Sequence, residues 1–225
     1  KERDFSIEAD TADLVNGIRA KGSADNSHWF AYKIFIADRG YKIDALGKTL
    51  KRLQEAGKTD SVAIVEQQMK DINTEVAEYK NKFIKDYPQS LIAKIFDCSR
   101  EPDIPETPLL PNGRKDSTFA YRYYRAHFWD DFDFTDDRLL RTPIYHAKLD
   151  QYLTKVVPQI PDTLIAEIDV IIEKARPNKE VFKYTVWYLT HYYETSQVMG
   201  MDAVFVFIAD KVYRPGDAFW VSENV

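Results

Sequence analysis

The chain has 225 residues, 44% of them hydrophobic and 30% charged, a composition that excludes both a disordered polar tract and a membrane-embedded helical array. Thirty-one basic against thirty-six acidic side chains leave a formal charge of -5, which argues against a nucleic-acid partner, since such binding displaces counterions with a basic face. Eight glycines are too few for a loop-rich phosphate binder or an all-β fold dense in tight turns.

The single cysteine, Cys98, excludes an intramolecular disulfide, a Cys-x-x-Cys redox pair and a cysteine-rich zinc site, each of which needs two thiols or more. It lies in the apolar run Leu91, Ile92, Ala93, Ile95, Phe96 and reads as a small packed hydrophobe rather than a nucleophile. The chain opens Lys1-Glu2-Arg3 and is expected to be an excised or processed piece. The longest apolar stretch, Ala203 to Ala209, is far shorter than the roughly 20 residues of a membrane span.

In chain order, Phe5 to Ala9 alternates apolar and polar residues and predicts a short strand. Its partner is either another short segment of this chain or a β domain upstream. A polar stretch then runs to Asn26. From Trp29 the period changes. Trp29, Tyr32, Ile36, Ile43, Leu46, Leu50 and Leu53 follow three-and-four spacing, with Arg39 on the one seam position that should be apolar. Gly57 suits a left-handed helix end and Thr59 or Asp60 an N-cap. An unbroken second seam follows: Val62, Val65, Met69, Ile72, Val76, Tyr79, Phe83. Helices over 27–56 and 60–86 joined by so short a turn must run antiparallel, a hairpin about 40 Å long.

Residues 90–99 predict a short helix behind Pro88. Prolines at 102, 105, 108 and 111 then exclude regular structure over 101–115 and predict an extended connector at a domain boundary. Beyond it lie 21 of the 31 aromatic residues. Helices are expected over 117–129, after Thr135, and over 143–157, 162–175 and 179–197, the last opening at Asn178 and apolar on most faces, hence central. Val204-Phe205-Val206-Phe207-Ile208 has strand propensity, but its place after Gly200 favours one more helix over 203–213. The expected fold is all-α: a long antiparallel helical hairpin, then an aromatic-rich multi-helix array, with a short N-terminal strand. Its expected segments are 1–26, 27–100, 101–115 and 116–225.

Trp129 to Asp137 is the conspicuous acidic and aromatic run. Counted as a calcium loop from Asp131, its sixth residue is Asp136 instead of glycine and its twelfth Thr142 instead of glutamate, so helix-capping carboxylates are the better reading. His191 and Glu194 sit three apart on one helical face but in the reverse of the Glu-x-x-His order, and nothing completes a site. No nucleophile elbow or phosphate loop occurs. The stripe Tyr121, Tyr124, Phe128 and Phe132 reads as core before groove. No catalytic, cofactor-binding or metal-binding residue is assigned. The candidates for a partner or ligand surface are Tyr123, Trp129, Asp130, Asp131, Trp187 and Tyr192.

Three segments carry a family likeness: Tyr123 to Pro143; Phe182-Lys183-Tyr184 with Tyr193-Glu194-Thr195-Ser196; and Met199 to Val206. Together they resemble a domain of unknown function from Bacteroidetes-type thioredoxin-like proteins, over roughly 20–225. The resemblance implies a spacer that follows a small β domain and precedes a thioredoxin-like domain of the thiol-disulfide oxidoreductase class. Residues 1–26 would be the tail of that β domain. It also implies an exported, lipid-anchored parent in the cell envelope, and gives no counterpart here to the parent's paired catalytic cysteines. The expected function is therefore a non-catalytic module that positions the redox domain or its client, with the aromatic region presented to a client polypeptide or to a second subunit. The alternative is a peptide- or glycan-binding module with an exposed aromatic pocket around Trp129 and Trp187.

Overall fold

A computed structural model describes residues 4–14 and 16–221; Lys1 to Arg3 and Ser222 to Val225, the ends of the outer expected segments, lie outside the described residues. The chain forms two compact units, divided between Phe96 and Asp97.

In the first unit the predicted strand finds its partner within the chain. Strand β1, Ser6–Glu8, pairs antiparallel with β2, Arg19–Lys21, in the register Ser6 to Lys21, Ile7 to Ala20 and Glu8 to Arg19. Helix α1, Ala24–Glu55, starts three residues ahead of expectation, because the Ser23 hydroxyl accepts the Asn26 amide at 3.2 Å and caps the polar stretch as a first helical turn. Gly57 takes φ 66° at the hairpin turn, the left-handed geometry its lack of a Cβ permits. Helix α2, Thr59–Asp86, is led by Lys58 with no side-chain cap, which corrects the assignment of the cap to Thr59 or Asp60; Asp60 instead lies in the first turn, where the helix dipole favours a carboxylate.

Both seams meet as the spacing requires, yet α1 has no fully buried residue and α2 has only Val65 and Phe83. The remaining apolar seam residues are half-buried. Arg39 fills its polar rung by reaching the Glu75 carboxylate across the hairpin while its guanidinium lies 3.9 Å from the Phe35 ring centroid. At the base of the hairpin, Phe83, Ile92, Ala93 and Phe96 form a buried cluster flanked by Trp29, Tyr32, Tyr79 and Ile84.

Helix α3, Leu91–Cys98, spans the division, which falls ahead of the proline-rich stretch and places 101–115 within the second unit. That stretch has no regular element, but its second half is folded back rather than extended: Leu109 bridges Lys115, and Gly113, at φ 75°, donates to the Leu110 carbonyl at 2.8 Å. The Asn112-Gly113 pair supplies the turn that the prolines obscured.

Helix α4 is Phe119–His127 and is followed by a 3-10 turn at Asp137–Arg141. Helix α5, Ile144–Gln151, widens into a π-turn through Val156. Helix α6, Pro161–Ala175, opens on a first-turn proline. Helix α7, Lys179–Glu194, is capped by Asn178, whose oxygen accepts from Glu180 and Val181 and whose amide donates to the Thr135 carbonyl at 2.8 Å. It ends three residues early, where the Thr195 hydroxyl turns back onto the His191 carbonyl at 2.8 Å. Helix α8, Asp202–Ile208, continues as a π-turn to Tyr213, so the ambiguous valine and phenylalanine run is helical, with Val204 and Ile208 buried one turn apart.

The core of this unit is made by Leu149 and Leu153, by Leu164, Ile168, Ile171 and Ile172 of α6, by Val186 and Leu189 of α7, and by Val204, Ile208 and Val212. Helix α7 lies against α6 and α8 and has seven buried residues, the central place its composition predicted. Among the described residues no helix is long and apolar enough to cross a membrane.

Candidate functional site

The structure separates the two tryptophans that the sequence placed in one pocket. Trp129 is buried, with rings of Phe128, Phe132, Phe134, Tyr145 and Tyr152 at 5.1 to 6.3 Å. The expectation of an exposed Trp129 is corrected: α4 ends at His127, Trp129 lies in the turn beyond it, closed by Phe132 N–H on the Trp129 carbonyl, and its indole packs within this ring cluster. Trp187 is 54% exposed on the outer face of α7. The two are linked only through intervening rings, Trp129 to Tyr145 at 6.3 Å, Tyr145 to Tyr184 at 5.8 Å and Tyr184 to Trp187 at 5.8 Å.

The other candidates are scattered. Tyr123 is half-buried against His127 at 4.1 Å. Asp130 is exposed and meets His127 Nδ1 at 2.6 Å. Asp131 is exposed and adds to the negative field around Lys148. Tyr192 packs beside Tyr188 and Tyr193. Of the stripe, Phe128 and Phe132 are buried, whereas Tyr121 is 43% exposed with its hydroxyl donating to the Val156 carbonyl at 2.9 Å. Of the remaining acidic residues of the run, Asp136 acts as a cap, accepting from the amide and guanidinium of Arg138, and Asp137 lies in the first turn it opens; Asp133 accepts from the Thr135 amide at 3.0 Å in the loop ahead of it. That guanidinium holds the Asp136 carboxyl below its ordinary range. Among the described residues no three His, Cys, Asp or Glu side chains are grouped to hold a metal ion.

Trp187 has a different set of neighbours. Glu180, Lys183, Tyr184 and Trp187 recur at helical spacing on one face of α7, and with Leu140 and Trp220 they line a cleft of about 240 Å³. The Tyr184 hydroxyl is engaged by His146 Nδ1 at 3.0 Å. Among the described residues Glu180 and Lys183 have no side-chain hydrogen bond or ion pair, so one carboxylate and one ammonium stand free on the rim of an aromatic cleft. Helical spacing around Trp187 could have singled out 180, 183 and 184. No local signal could have brought in Trp220, 33 positions along the chain. A wider depression of about 500 Å³ lies along 193–205, where Met199 is 96% exposed. In the first unit, Leu14, Ile18, Trp29 and Ile36 line an apolar hollow of about 370 Å³ with Lys33.

Two buried groups have chemical potential that their surroundings suppress. Cys98 is 1% exposed, and burial pushes its thiol up to about 11, so at neutral pH it is held as the thiol and not as the thiolate nucleophile. Lys148 is 8% exposed with its ammonium 4.6 Å from the Phe128 ring centroid. Burial lowers its pKa, against the pull of Glu101, Cys98 and Asp131.

No curated protein and no solved structure matches this chain. A family model described as Domain of unknown function (DUF5106) does match, over residues 58–221, from the start of α2 through the Trp187 cleft. That match covers most of the chain, which therefore belongs to this family of unknown function.

Proposed function

We propose that the chain is a non-catalytic helical module of an envelope thioredoxin-like thiol-disulfide oxidoreductase, lipid-anchored through its parent, where it positions the redox domain or its client. The observation that carries this reading is the state of the one thiol. Cys98 is alone, buried and held protonated, so the chain lacks both the second sulfur and the thiolate that dithiol exchange uses. The segments that resemble the spacer of such proteins supply the context. In the longer protein, deletion of residues 24–221 should leave turnover of a small soluble disulfide unchanged and slow the reduction of a folded protein client. Equal rates on both substrates with and without the module would refute a positioning role.

A second reading, a ligand-binding module, has one specific observation in its favour. The cleft at Trp187 sets an exposed indole beside a free carboxylate and a free ammonium, the mix of apolar wall and sparse polar groups that typifies small-ligand sites. Trp187→Ala in a ligand titration tests it.

A further inference from the structure

We propose that the Trp187 cleft binds a single pyranose ring of a neutral glycan; this rests on the ligand-binding reading of the cleft and not on the redox context. Size is the first argument. At about 240 Å³ the cleft is smaller than the roughly 300 to 1,000 Å³ of sites for drug-sized ligands, so its occupant is one ring. An amphipathic helix needs a groove with several anchor pockets, and a proline-rich strand, rising about 3.1 Å per residue, needs pockets for at least two of its prolines. Strand addition needs a sheet edge, and in the described residues of this unit there is no strand beyond the Leu109 to Lys115 bridge.

Chemistry is the second argument. The rings of Trp187, Trp220 and Tyr184 line the cleft, with His191 parallel to Trp187 at 5.9 Å, and the negative quadrupole of such π systems attracts the slightly positive C–H face of a sugar ring. Trp187 is more than half exposed, so such a ring reaches it with no rearrangement of the core. The Tyr184 hydroxyl is engaged by His146, and the rim adds the Glu180 carboxylate as acceptor and the Lys183 ammonium as donor. Their charges cancel. A neutral polyhydroxylated ring, which donates and accepts at once, complements that rim; an acidic or basic ligand would leave one of the two opposed.

The test is saturation-transfer NMR and calorimetry on the whole chain with maltopentaose, cellopentaose and chitotetraose, and with a proline-rich decapeptide for comparison. At about 10 mM, enough to fill a millimolar site, at least one sugar should show transfer concentrated on its ring C–H protons. Trp187→Ala should weaken that binding at least tenfold and Lys183→Ala more modestly, both with an unchanged melting temperature because both side chains are exposed. Sugar binding that Trp187→Ala leaves intact would overturn the proposal. Silence from all three sugars beside Trp187-dependent binding of the peptide would overturn the pyranose assignment and keep the binding reading. Silence from all four ligands would remove both.

Discussion

Cys98 shows how burial decides the chemistry of a side chain that sequence identifies only by type. Its thiol pKa is raised, so the stability that this group contributes is fully present below the unfolded value near 9.0 and is lost as pH climbs through about 11. Stability in urea melts should therefore fall with pH between those limits, and fall less steeply in Cys98→Ala. Below that window, iodoacetamide should label the thiol in urea and leave the native protein untouched for hours; rapid native labelling at pH 8 would contradict the buried assignment. The fate of Cys98 as a packed hydrophobe was legible from the apolar run around it. The fates of Trp129 and Trp187 were not, because both lie in aromatic stretches, and only the structure shows that one sits past the end of its helix among packed rings and the other on an exposed helix face.

For the helices, periodicity was a good guide to type and partner and a poor one to depth. Seam spacing predicted the α1 and α2 hairpin, but two helices alone cover one flank of each other, so most seam positions remain half in water. An aspartate on the seam is expected to cost several kcal/mol, yet at half-buried Ile72 it keeps part of its hydration. Val65→Asp, at a position 7% exposed, should therefore destabilise by about 3 kcal/mol or more, and Ile72→Asp by clearly less. Equal losses in urea melts would show that exposure does not grade the seam. Arg39 could be flagged from its broken rung; its answer, Glu75 on the other helix, depended on the register of the pair. Burial of one side of Arg39 against Phe35 also implies that Arg39→Leu leaves the melting temperature unchanged or higher. At the head of α7, Asn178→Ala removes an acceptor for two amides and a donor to Thr135, and should cost about 1 to 2 kcal/mol by the same urea measurement.

At the scale of the whole molecule, the chain is two compact units, each with its own buried cluster. Leu189 is wholly buried in the second, so Leu189→Ala should cost about 2 to 5 kcal/mol. Hydrogen exchange should accelerate across α6 to α8 and leave α1 and α2 protected; uniform acceleration would mean that one cooperative core spans the chain. The all-α class and the aromatic-rich second half were legible, since composition and period report local preference and burial. The cleft was not, because it joins α7 to Leu140 and Trp220 through long-range packing that no spacing encodes. The claim on which the account turns is that this polypeptide has no dithiol chemistry of its own. Purified chain added to insulin and dithiothreitol, with no thioredoxin present, measures it directly by the onset of turbidity. The onset should be identical to that with dithiothreitol alone; a protein-dependent acceleration, whether it survives Cys98→Ala or disappears with it, would refute that claim.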